Sequence, residues 1–94
     1  MEIINKDNGR KGYFIALDND EEVGEMSYIW SNDYEIIIDH TGVNPVYEGK
    51  GVGKELFMKA VEFARMKNIH IIPVCPFVKT MFRRFPETGD VLVK

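Results

Sequence analysis

Val43-Asn44-Pro45-Val46-Tyr47-Glu48-Gly49-Lys50-Gly51-Val52-Gly53-Lys54-Glu55-Leu56 is the stretch in which the apolar period of this chain changes. Before it, apolar residues come in short runs, the pattern of strands. After it, Val52, Leu56, Phe57, Ala60, Val61 and Ala64 recur at helical spacing. The segment therefore joins a strand to a helix. Three glycines at alternate positions let the backbone turn tightly and approach a ligand, and the free N–H groups and dipole at the helix start favour an anion. Lys50 and Lys54 add positive charge, so a phosphate or pyrophosphate is the natural guest. Without a guest, the same residues read as a glycine-rich turn capping an amphipathic helix.

Working outward, residues 34–43 form the strand that enters the loop. Ile36-Ile37-Ile38 marks a centre buried on both faces, and Asn44-Pro45 ends the strand because proline cannot donate to the ladder. Residues 12–18 and 22–30 are apolar and aromatic runs joined by Asp18-Asn19-Asp20-Glu21, a hairpin signature. Imperfect alternation of Val23, Met26, Tyr28 and Trp30 predicts a bulge near Gly24. The helix runs over 51–67, closed by Lys67 and Asn68, and residues 69–74 form a short strand parallel to one already in the sheet. A last helix begins with Cys75 at its N-cap and Pro76 at its first position. It buries Val78, Met81, Phe82 and Phe85, and ends at Pro86. Val91 to Val93 adds a short edge strand. The order β-β-β-α-β-α, with that possible final strand, is α+β: a mostly antiparallel sheet completed by a right-handed crossover, in one domain over residues 1–94.

Composition narrows the function. Ninety-four residues leave no room for a second domain, and no apolar run is long enough to span a membrane, so a soluble, cytoplasmic protein is expected. Cys75 is the sole cysteine, which excludes an internal disulfide, and two distant histidines offer no metal spacing. The net charge of -3 disfavours nucleic acid. It conceals an asymmetry: residues 1–47 hold 3 basic and 10 acidic side chains, net -7, and residues 48–94 hold 9 and 5, net +4. The second half suits an anion and the first a cation; both also read as solvated faces.

Other phosphate loops fit poorly. A Walker motif needs four residues between its first glycine and Gly-Lys, Gly49 to Gly53 leaves three, and Glu55 stands where a magnesium-binding hydroxyl belongs. A dinucleotide fingerprint would need its third glycine one residue later than Gly53 and a doubly wound sheet.

Val43-x-Pro45, then Glu48-x-x-Gly51-x-Gly53 and Leu56, resembles the acetyl-CoA motif of the GNAT superfamily of acetyltransferases, usually Gln or Arg followed by x-x-Gly-x-Gly or Ala. His40-Thr41 before the loop and Pro73-Val74-Cys75-Pro76-Phe77-Val78 after it resemble the short, single-domain branch of that superfamily. The resemblance implies acetyl-CoA as cosubstrate, with no metal. It implies that backbone N–H groups over Gly49, Lys50, Gly51, Val52, Gly53 and Lys54 hold the pyrophosphate, and that Thr41 and Val43 hold the pantetheine arm where the two parallel strands splay. Glu48 replaces the usual Gln or Arg, so its side chain is expected to turn away from phosphate. The acceptor implied is an amine, either a small one or a protein lysine.

Acetyl transfer needs a neutral amine, donors for the developing oxyanion and an acid for the leaving thiolate. Cys75, between a strand end and a helix start, suits the acid or a nucleophile that carries the acetyl group; it also suits a small buried core residue. His40, near the end of the strand lining the cleft, suits the acceptor of the amine proton, or an ordinary hydrogen-bonded position. The larger superfamily members often use a tyrosine as acid where this chain offers Phe77. Trp30, Tyr28 and Tyr34 can wall an acceptor site flanked by Glu25, Glu35 and Asp39, or can simply be core. Two other readings stay open: a CoA-binding module with little turnover, and an interaction domain whose loop only caps a helix. A monomer or weak dimer is expected, without nucleic acid or membrane partners.

Overall fold

The computed structural model describes residues 1–93. Its order is β1 (Glu2–Asp7), β2 (Lys11–Asp18), β3 (Glu21–Asn32), β4 (Glu35–Val43), a 3₁₀ turn at Pro45–Tyr47, α1 (Val52–Lys67), β5 (His70–Pro73), α2 (Pro76–Arg84) and a second 3₁₀ turn at Pro86–Val91. The five strands form one sheet in chain order; β1 to β4 are antiparallel and β5 is parallel to β4.

The β2–β3 hairpin turns through Asn19 and Asp20, both at positive φ (50° and 65°), the geometry of a type I′ turn. Ala16 pairs with Gly24 but Leu17 pairs with Glu22, so Val23 is the extra residue of a bulge beside the predicted Gly24. A second bulge sits in β4: Ser27 pairs with His40 and Tyr28 with Ile38, leaving Asp39 over. It was not predicted, because Ile38-Asp39-His40 carries no glycine or other bulge signal.

Both helices pack on one face of the sheet. Leu56, Phe57, Ala60 and Ala64 of α1 and Val78, Met81 and Phe82 of α2 share one core with Phe14, Met26, Tyr28, Ile36 and Ile38 from the strands. Phe57 and Phe82 meet edge to face at 5.0 Å, tying the helices together. Each of these large side chains contributes about 1.5–3 kcal/mol by leaving water. Asn68 ends α1 in the left-handed conformation, its N–H returning to the Ala64 and Arg65 carbonyls.

The fold class agrees with the sequence reading, and four details differ. Strand β1 was not anticipated. Its inward positions include Asn5 and Asp7, which bond instead of packing: Asn5 Nδ2 donates to the Tyr28 hydroxyl at 3.1 Å, and Asp7 accepts from the Tyr28 hydroxyl and from Trp30 Nε1. An apolar period cannot reveal a strand whose helix-side positions beyond Ile3 are exposed polar residues. Burial opposes ionisation of Asp7, but hydrogen bonds from Tyr28, the Gly9 N–H and Trp30 hold its carboxyl below the usual range. Burial and the same bond push the Tyr28 phenol well above its ordinary value.

Ile37 is only half-buried, since no helix covers the other face of β4 at that point. Tyr28 and Trp30 belong to the core against Phe63, and Tyr34 is exposed in the turn that begins β4, at the end away from the glycine loop. They do not wall a cleft. At the C-terminus, Leu92 makes one parallel bridge to Ile71 instead of a strand over 91–93, because Pro86–Val91 winds into a 3₁₀ turn that buries Thr88 and Val91.

Candidate active site

Strands β4 and β5 separate after Ile38. Their register ends at Ile38 with Pro73, and the Ile38 carbonyl then accepts both the Val74 and Cys75 N–H groups, at 3.1 and 3.0 Å. The chain turns off there into α2, while residues 39–43 of β4 continue paired to β3 alone. Two strands that part leave a wedge with one unpaired strand edge lining it.

The glycine loop closes the wide end of that wedge. Gly49 and Gly51 lie at φ +76° and +82°, which side-chain-bearing residues resist. Gly51 is the N-cap of α1, with no side chain to accept from the helix start. The first helical bond runs from the Glu55 N–H to the Gly51 carbonyl at 3.0 Å, so the N–H groups of Val52, Gly53 and Lys54 precede any intrahelical partner. A helix that forgoes its capping side chain keeps those donors, and the positive end of its dipole, for something else.

A cavity of about 500 Å³ lies in front of them. Of the sequence-predicted positions, Val43, Glu48, Gly49, Gly51, Val52, Gly53 and Lys54 line it. Glu48 is an exposed residue at the rim of the cavity. Lys50 does not line it; its Nζ rests 5.3 Å over the Tyr47 ring. Tyr47 is itself fixed by a 2.9 Å bond from its hydroxyl to Asp18, which pushes the phenol pKa up.

Sequence reasoning missed Tyr47, Met81 and Arg84 as lining residues, and gave Phe77 only the place of a lost acid. The signal was present: Phe77, Met81 and Arg84 stand at i, i+4 and i+7, one face of α2, and the loop packs on that face. Arg84 supplies a guanidinium where Lys50 was expected to supply an ammonium.

Thr41 and Cys75 meet at the narrow end. Cys75 Sγ donates to Thr41 Oγ1 at 3.6 Å, and the cysteine is buried. Thr41 therefore touches the thiol and does not line the main cavity. The Asp39 bulge sets this contact: opposite Met26, which is in the core, Thr41 faces the helices, and His40 opposite Ser27 faces the other side. His40 is exposed there, its Nε2 beside Gly42. Cys75 and His40, both expected to be catalytic, are thus not brought together: Cys75, at the start of α2, meets the helix side of β4 through Thr41, and His40 lies on the other side of that strand. His70, at the start of β5, is exposed at the far end.

Among the described residues no group of three or more His, Cys, Asp or Glu side chains is placed to hold a metal, and no helix is long and apolar enough to cross a membrane. Comparison with curated protein sequences returned no match. The family model described as GCN5-related N-acetyl-transferase matches residues 12–91. Among solved structures, a GCN5-like protein from Staphylococcus aureus is 37% identical, with 96% of this chain and 87% of that one aligned, at a TM-score of 0.70. A streptothricin-acetyltransferase-like protein from Bacillus anthracis, solved in complex with acetyl coenzyme A, is 27% identical over 68% of this chain and 38% of that one, at a TM-score of 0.57. Tetrahymena GCN5 shares the fold at 14% identity, over 93% of this chain and 62% of that one, with a TM-score of 0.69. The uncapped helix at the mouth of a splayed β4–β5 pair, together with a family match that spans most of the sequence, places this chain in the GCN5-related N-acetyltransferase family.

Proposed function

We propose that the protein binds acetyl-CoA through the glycine loop and transfers its acetyl group to a primary amine. The observation that carries this reading is the set of N–H groups at Val52, Gly53 and Lys54, left without a capping side chain beside a 500 Å³ cavity that reaches Val43 at the end of β4 and Phe77 at the start of α2. A pyrophosphate on those donors, with Arg84 beside it and the Lys54 ammonium resting 5.1 Å over the Phe85 ring, directs a long, thin pantetheine arm along the unpaired edge of β4 toward Thr41 and Cys75. The bound acyl-CoA of the Bacillus anthracis relative supports the same choice of cosubstrate.

In the transfer, the amine nitrogen attacks the thioester carbonyl, the carbon–sulfur bond breaks, and the amine sheds a proton. In this reading Cys75 protonates the departing CoA thiolate with its S–H, which the hydrogen bond to Thr41 orients. The same thiol can instead accept the acetyl group and pass it to the amine, with CoA released first. His40, on the opposite face, takes the amine proton directly or through a water as the acceptor approaches from that side. The two faces of β4 thereby divide the work, one for the cofactor and one for the acceptor.

The test is CoA release measured with and without a panel of amines, for wild type and Cys75→Ala, with mass analysis of the Cys75 peptide after acetyl-CoA alone. Amine-dependent release supports the transferase. A gain of one acetyl group on Cys75 selects the carrier role, and none selects the acid. Binding without amine-dependent release leaves a CoA-binding module.

A further inference from the structure

The sheet face opposite the helices is open. Tyr13 and Ile29 are 37% and 43% exposed on it, and Ile37 and Ile72, paired across β4 and β5, are half-buried beside them. The face has charged ends of opposite sign. Where β4 splays, Glu25, Asp39 and His40 gather on this side: Glu25 pairs with Gly42, Ser27 with His40, and Ser27 Oγ donates to Asp39 at 2.7 Å. At the other end Lys6, Asn8, Lys11 and Tyr13 line a hollow of about 280 Å³. Lys6 pairs with Tyr13 and Lys11 with Ile29, so both lysines share the face with the exposed aromatic and aliphatic side chains.

Register gives the span between the two ends. His40 lies opposite Ser27, Ser27 lies opposite Tyr13, and Lys11 is two positions farther along β2. Two strand spacings of about 4.8 Å and two residue rises of about 3.3 Å separate His40 from Lys11 by about 12 Å. That is about four residues of extended chain.

We infer that this face docks the acceptor, and that the acceptor is an extended protein segment. Its reactive lysine sits at Glu25, Asp39 and His40, a carboxylate about four residues away sits over Lys6 and Lys11, and an apolar side chain between them rests on Tyr13 and Ile29. The inference rests on the acetyltransferase reading. A small amine uses only the acidic end and gives the lysine hollow and the apolar middle nothing to bind; an extended segment engages all three, with charge matched at both ends.

Kinetics with charge-swapped peptides test it. Lysine peptides with Glu or Lys four residues from the reactive lysine are compared on wild type and on Lys6→Glu/Lys11→Glu, at saturating acetyl-CoA. The readout is the ratio of kcat/KM for the two peptides. Wild type favours the Glu peptide by about fivefold, and the double variant inverts the preference to about the same extent, the scale of exposed ion pairs. Tyr13 and Ile29 resonances shift on addition of the Glu peptide to wild type. A ratio near one for both proteins, or a kcat/KM for the peptide equal to that of a simple alkylamine, overturns the docking surface while leaving acetyl transfer intact. A stable dimer buried through Ile29 in sedimentation overturns it as well. Failure of wild type to bind acetyl-CoA is a separate result, which sinks the activity on which the inference rests.

Discussion

Gly53→Ala isolates the contact between the glycine loop and α2. Gly53 is the second residue of α1, where replacing glycine with alanine ordinarily stabilises a helix, by up to about 1 kcal/mol. Here a Cβ would stand 2.6 Å from Phe77 Cζ, with two further ring carbons at 3.2 and 3.3 Å. Ordinary carbon contact is about 3.6 Å, so the ring must retreat by about 1 Å. Phe77 lines the cavity, so the retreat reshapes the space meant for the cofactor. Overpacking of this kind costs about 1–3 kcal/mol, which cancels the helical gain and leaves urea stability between that of wild type and about 2 kcal/mol below it. Expressed in binding, the low end of that range is about a fivefold loss of acetyl-CoA affinity. Phe77→Leu, with a shorter side chain, should relieve the clash, so a double-mutant cycle of the two changes gives a favourable coupling of about 1 kcal/mol or more. Calorimetric titration with acetyl-CoA reads the affinity and urea denaturation the stability. If Gly53→Ala gains the full helical stabilisation and binds acetyl-CoA as wild type does, Phe77 does not shape the pocket and the reasoning fails.

Other outcomes follow from the same geometry. Lys50→Ala should change acetyl-CoA affinity by less than about twofold, because the ammonium lies over Tyr47, whereas Arg84→Ala should lower it about tenfold if the guanidinium meets phosphate. Gly12→Ala should lose about 2 kcal/mol in urea denaturation, since its Cβ would come within 2.4 Å of the Tyr28 ring and 2.7 Å of the Lys6 carbonyl, and the latter cannot swing away. The folded-state pKa of Asp7 is depressed, so the unfolded chain binds more protons across the carboxylate range. Stability from Asp7 is present above its unfolded pKa and is lost as pH falls through its folded one. Asp7→Asn should cost about 1 kcal/mol at neutral pH and flatten that acid limb, measured by thermal unfolding from pH 7 to pH 2.

The parts of this fold that were legible in the sequence obey apolar periodicity or turn chemistry. The buried stripe of α1 from Val52 to Ala64, the Asn19-Asp20 turn, the Cys75-Pro76 start of α2 and the glycine loop each carry a local signal that the tertiary structure keeps. Strand β1 was invisible because Asn5 and Asp7 are exposed polar residues held by hydrogen bonds to Tyr28 and Trp30, so the strand carries no apolar alternation. The Asp39 bulge was invisible because nothing local announces it, and it decides the site: one extra residue turns Thr41 toward Cys75 and His40 away. Lys50 looked like a phosphate ligand by proximity in sequence, and Arg84 did not, because only packing brings α2 against the loop.

The central claim is that the uncapped start of α1 binds the diphosphate of acetyl-CoA, and calorimetric titration of wild type beside Gly51→Asp tests it most directly. Asp tolerates the left-handed conformation at modest strain, about 1 kcal/mol, and a Cβ at Gly51 meets nothing within 4 Å, so the variant folds. It places a carboxylate at the helix start, where it caps the free N–H groups and repels an anion. The account predicts saturable one-to-one binding to wild type and at least about tenfold weaker binding to Gly51→Asp. Equal affinity in the two proteins would move the cofactor away from this loop, and no binding to wild type would contradict the account outright.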